Sequence, residues 1–126
     1  MNRKLEFATQ MQKRTKSFAI EIVRFFGQLP KTDEAGVLGR QLLRAGTSVA
    51  ANYRAVCRAK SDADFIHKLG TVVEEGDESE FWLELLEESG ICPAAQVDPL
   101  RLEAGELVRI LQTSLSTAKR NRQSDN

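Results

Sequence analysis

The sequence predicts an all-α protein, a single domain folded as an antiparallel, up-down-up-down four-helix bundle. Three observations carry this. Apolar residues recur at three-, four- and seven-residue steps along most of the chain. No stretch alternates β-branched with aromatic residues, and no Asn-Gly or Asp-Gly turn separates two such stretches. Proline and glycine then divide the chain into four segments joined by short connections, which favour antiparallel neighbours. With 126 residues, 41% of them apolar, one core can bury about two-thirds of the surface that the unfolded chain exposes.

The first helix is expected over about 7–28, where Met11, Phe18, Ile22, Phe25 and Leu29 share one face. It ends at Leu29-Pro30, because a residue before proline disfavours the helical region. The second spans 33–59, with Thr32 or Asp33 as N-cap and acids in its first turn, where the helix dipole favours them. Its seam reads as a strict heptad, Leu38, Ala45 and Asn52 at one position and Leu42, Val49 and Val56 at the other. The small residues from Ala45 to Ala51 around that seam let a neighbouring helix come close.

Ser61 followed by Asp64 gives a start resembling a capping box for a third helix over 62–89. Phe65, Leu69, Val72, Val73, Leu83 and Leu86, with Ile66, Trp82 and Leu85 alongside, make a broad apolar stripe. Gly90 suits the left-handed residue just past its end. Asp98-Pro99 opens the fourth helix, expected over 99–118, as a cap followed by proline at the first helical position. Leu100, Ala104, Leu107, Leu111 and Leu115 form its face. The polar tail 119–126 is expected to be disordered.

No apolar run approaches the roughly 20 residues of a membrane span, and the first residues carry no secretory pattern, so a cytoplasmic protein is expected. Cys57 and Cys92 stand apart with no partner cluster. Di-iron bundles need Glu-x-x-His on two helices, but the only histidine is His67 and the residue three before it is Asp64. His67 is also the only imidazole available to activate a nucleophile, and no Gly-Lys-Ser or Gly-Lys-Thr forms a phosphate loop. The expectation is therefore no catalytic residues, no metal and no cofactor.

Binding is a different matter, because the charge is unevenly placed. The chain is neutral overall, yet residues 1–60 hold 12 Lys or Arg against four acids, a net +8, whereas residues 61–96 hold Lys68 alone against ten acids, a net −9. Arg40, Arg44, Arg54 and Arg58 form two i, i+4 pairs on the second helix, with Lys60 just beyond. Such a row neutralises phosphates of RNA or DNA, or equally pairs with the acidic helix of the same or a neighbouring subunit. Ser48 and Asn52 are expected as buried polar groups, Asn52 either fixing helix register through a hydrogen bond or touching a ligand.

At Arg44-Ala-Gly-Thr-Ser-Val-Ala-Ala-Asn-Tyr-Arg54, Ser61-Asp-Ala-Asp-Phe-Ile-His-Lys-Leu69 and Glu78-Ser-Glu-Phe-Trp-Leu-Glu-Leu-Leu86, the sequence resembles a bacterial four-helix-bundle family. That family is named for members encoded in intervening sequences of 23S ribosomal RNA genes. The resemblance implies a left-handed bundle in a ring of five and a relationship to accessory proteins of diversity-generating retroelements, which contact nucleic acid and a reverse transcriptase. It implies no enzymatic activity. Arg44, Ser48 and Asn52 match the family's second helix, and Phe65, Lys68, Glu75, Glu78 and Trp82 its third, while Ala55 replaces a glutamate common there. Complementary basic and acidic segments on one chain suit a head-to-tail ring, with Phe81, Trp82, Glu84, Glu87 and Glu88 as its candidate contact surface.

Overall fold

A computed structural model describes residues 2–124 of the chain. The described residues form four helices, α1 (Arg3–Gly27), α2 (Asp33–Val56), α3 (Asp62–Glu88) and α4 (Ala94–Ser124), and no strand. Each helix packs on the next in the chain, and α4 returns to touch α1 along a thinner seam. Their inward faces build one core.

The caps follow local chemistry. Asn2 caps α1, its side chain accepting from the Lys4 N–H at 2.8 Å, so α1 starts one turn before the expected Phe7. Thr32 caps α2 by accepting from Ala35 N–H at 3.3 Å. Ser61 caps α3 through Asp64 N–H at 3.0 Å, but the Asp64 carboxylate accepts from Lys60 N–H at 3.0 Å. The carboxylate thus bonds the N–H one residue before the cap rather than that of the cap itself, a variant of the capping box. Gly90 takes φ +80°, and the Ile91 and Cys92 N–H groups both bond to the Leu86 carbonyl, closing α3.

Three further boundaries differ from expectation. α2 ends at Val56 rather than residue 59. α4 opens at Ala94, because the Pro93 carbonyl already accepts from Gln96 and Val97 N–H groups. Asp98 therefore lies inside the helix with Pro99, whose missing N–H forgoes one backbone bond. The helix continues to Ser124, so residues 119–124 are helical where disorder was expected; 125 and 126 lie outside the described residues.

The α2 seam is also corrected. Leu42, Ala45, Val49 and Val56 are buried as expected, joined by Ala35, Gly39, Gly46 and Tyr53, while Leu38 and Asn52 are only half-buried. Glycine decides this register. A Cβ on Gly46 would stand 2.9 Å from Ile22 Cγ1, and one on Gly39 would collide with Leu29, so α1 lies directly on these two backbones. The small residues around Gly46 thus admit a neighbouring helix closely, as expected, and that helix is α1 of the same chain. In α3 the buried stripe is narrower than expected: Gly76 and Ser79 face the core with Leu69, Val72, Leu83 and Leu86, while Phe65, Ile66, Val73, Trp82 and Leu85 are half-buried.

Candidate nucleic-acid interface

The five candidate cations lie on α2 and the turn that follows it. Residues 40, 44 and 54 fall within roughly 40° of one line along the helix, 40 and 54 being about four turns apart, and Arg58 stands in the turn after Val56. Arg40, Arg54, Arg58 and Lys60 are all exposed, and none of their side chains forms an ion pair among the described residues. From Arg40 to Arg54 the row extends about 21 Å at 1.5 Å per residue.

Arg44 is set apart. Its guanidinium turns to α3, where Nη1 donates to Glu75 Oε2 at 3.1 Å and Nη2 donates to Glu78. Glu78 accepts as well from the Trp82 indole N–H at 3.1 Å. The Arg44 guanidinium, and secondarily the indole, hold the Glu78 carboxyl below the usual range. Of the two roles open to these arginines, Arg44 takes the ion pair within its own chain.

Asn52 does not reach across the seam. Its Nδ2 donates to the Ser48 carbonyl of its own helix at 2.9 Å, and both residues are half-buried rather than buried. The correction follows from the register above, which directs Tyr53 into the core in place of Asn52.

The acidic surface candidates separate too. Phe81 is 51% exposed and Glu88 is exposed. Trp82 is half-buried toward α2, its ring edge-on to Phe81 with centroids 5.0 Å apart. Glu84 and Glu87 are half-buried and lie near enough to Arg101 of α4 to raise its affinity for the proton, behind the Asp98 hydrogen bond. Five residues read as one surface thus face three ways, because α3 is flanked by α2 and α4.

A feature with no signal in the sequence lies at one end of the bundle. An open cleft of about 710 Å³ runs between the start of α1, the start of α3 and the end of α4, with Arg3, Lys4 and Arg122 beside Phe7, Phe65 and Leu111. A second, of about 750 Å³, is lined by Lys4, Cys57, Arg58 and Lys60. Lys4, Tyr53, Asp62 and Phe65 line both, so the two adjoin, and Asp62 is the one acid among the lining residues. Residues so far apart in the chain leave no periodic pattern; only the expectation that α1 begins where α4 ends would have joined Lys4 to Arg122.

No group of three or more His, Cys, Asp or Glu side chains among the described residues could hold a metal. Cys57 and Cys92 are both free, and burial pushes both thiols up. No helix among the described residues is long and apolar enough to cross a membrane.

A comparison with curated proteins returns no match. Among solved structures, the chain is similar to a protein of unknown function from the S23 ribosomal protein family of Bacteroides thetaiotaomicron, solved at 1.70 Å. The two are 31% identical with a TM-score of 0.80, over 86% of this chain and 97% of that one. The family described as 23S rRNA-intervening sequence protein matches residues 8–113. The chain belongs to the 23S rRNA-intervening sequence protein family.

Proposed function

We propose that this protein is a non-enzymatic, nucleic-acid-binding accessory factor of the cytoplasm that works as a closed homo-oligomer. The observation that carries the reading is the exposed row of Arg40, Arg54, Arg58 and Lys60, whose side chains form no ion pair among the described residues while Arg44 is taken up by α3. Four such cations along one face release counterions when they meet phosphates, and that release drives binding whatever the base sequence. The bundle is read as up-down-up-down, which pairs in opposing order support: Ile22 meets Gly46 and Phe26 meets Gly39, while Gly76 meets Val108 and Glu80 meets Gly105. The left hand of the bundle and a ring of five come from the family resemblance.

A second reading is a scaffold ring with no nucleic-acid contact. It draws on exposed Phe81 among the acids of α3, a surface suited to the basic side of another copy. Titration of single- and double-stranded RNA and DNA at roughly 50 and 200 mM salt separates the two. The first reading expects affinity that falls steeply with salt, with a shallower slope in an Arg54→Gln/Arg58→Gln variant. No binding at the lower salt leaves the scaffold. Light scattering that returns a monomer mass at micromolar concentration defeats the closed oligomer in both.

A further inference from the structure

We propose that the strand bound along α2 is single-stranded and that its unpaired bases enter the cleft at the end of the bundle. This rests on the reading of α2 as a nucleic-acid interface. The cationic row does not stop at Lys60. Arg58 and Lys60 line the same cleft as Lys4, and Lys4 lines the adjoining cleft with Arg3 and Arg122, so positive side chains continue from the middle of α2 around the start of α1. None of these five forms an ion pair among the described residues.

What changes along this path is the floor. Beside α2 the cations stand on a helix surface, which suits any phosphate backbone. At the end of the bundle they rim an apolar hollow that includes Phe7, itself 39% exposed, and half-buried Phe65 and Ile66. Thr113, Ser114, Thr117 and Asn121 supply hydroxyl and amide groups on the α4 side. A duplex hides its base faces in the stack and is too wide for a cleft of about 710 Å³. A single strand offers its base faces, and aromatic platforms next to a basic track are how proteins hold such strands without reading sequence. Asp62 is too isolated a charge to repel the phosphates from five cations.

The test is fluorescence anisotropy of the full chain with a short labelled oligouridylate, an oligothymidylate and a duplex of equal length, at two salt concentrations. The expected result is that single strands bind at least about tenfold tighter than the duplex. Phe7→Ala should weaken the single strand by about tenfold, in keeping with the loss of one stacked base, without changing the salt slope or duplex affinity. Phe7→Trp should restore it, which a folding defect would not allow. Lys4→Gln/Arg122→Gln should reduce the single-strand salt slope by about 0.7 for each phosphate that the variant no longer neutralises. Equal affinity for single strands and duplex overturns the cleft assignment and leaves the α2 interface standing, as does a Phe7→Ala variant that binds single strands like the parent. Displacement of the oligonucleotide by a long-chain carboxylate with no strand preference assigns the cleft to that ligand instead. Absence of binding to every nucleic acid removes both readings.

Discussion

Arg14 of α1 grips Glu103 of α4 with two parallel hydrogen bonds, Nε to Oε2 and Nη2 to Oε1, each 2.8 Å long. The same guanidinium meets Glu106 at 2.9 Å. This fork spans the seam where the bundle is thinnest, so it stands in for apolar contact between α1 and α4. Bidentate geometry gives such a pair more than the usual surface ion pair, although all three side chains are partly exposed.

Arg14→Ala is therefore expected to cost about 1 kcal/mol in urea unfolding at neutral pH. Its pH signature is specific. Arg14 holds the Glu106 carboxyl below its usual range, so this contribution is present above the unfolded carboxylate pKa and lost as pH falls through the folded value. The variant should lack that part of the acid limb.

Gly46→Ala should destabilise by about 1–3 kcal/mol, because its Cβ would stand 2.9 Å from Ile22 Cγ1 and 3.0 Å from Cγ2 in a filled core. Gly70 of α3 has open space where a Cβ would go. There alanine should stabilise by about 0.5–1 kcal/mol through helix propensity. Opposite signs in the two denaturation curves are the expected outcome.

Asn52→Ala should change stability by less than about 1 kcal/mol, since the side chain serves only the Ser48 carbonyl of its own helix and stays partly open to solvent. A loss of several kcal/mol in chemical unfolding would require a bond between helices in its place.

Glu80 lies in the α3–α4 seam with its Oε2 2.9 Å from where a Cβ on Gly105 would be. Burial, then Glu84 and Asp77, raise its carboxyl pKa against the opposing pull of Arg101 and Arg109. A raised carboxyl favours the fold while protonated, so stability present below the unfolded pKa is lost as pH rises through the folded one. Glu80→Gln is expected to add about 0.5–2 kcal/mol at pH 7 and nothing near pH 4. Thermal unfolding at the two pH values checks it.

The four helices and half of their ends were legible in the sequence because short-range chemistry sets them: the side-chain oxygens of Thr32 and Ser61 cap orphan N–H groups, Pro30 bars a helix before it, and Gly90 takes the left-handed turn. The α4 start was misread because Asp98-Pro99 satisfies the same local rule as Pro93, and local rules do not say which of two admissible caps is used. Two heptad readings of α2 share Leu42, Val49 and Val56. Only the approach of α1 onto Gly39 and Gly46 chose between them, turning Tyr53 inward and leaving Asn52 at the margin. The candidate site divides in the same way. The arginine row on α2 is a matter of spacing along one helix and could be read directly. That Arg44 is neutralised by Glu75 and Glu78, and that Arg3, Lys4, Arg58, Lys60 and Arg122 line two adjoining clefts, depends on which helices adjoin. Periodicity fixes what each helix presents; packing between surfaces remote in the chain decides which charges neutralise each other and which remain for a partner.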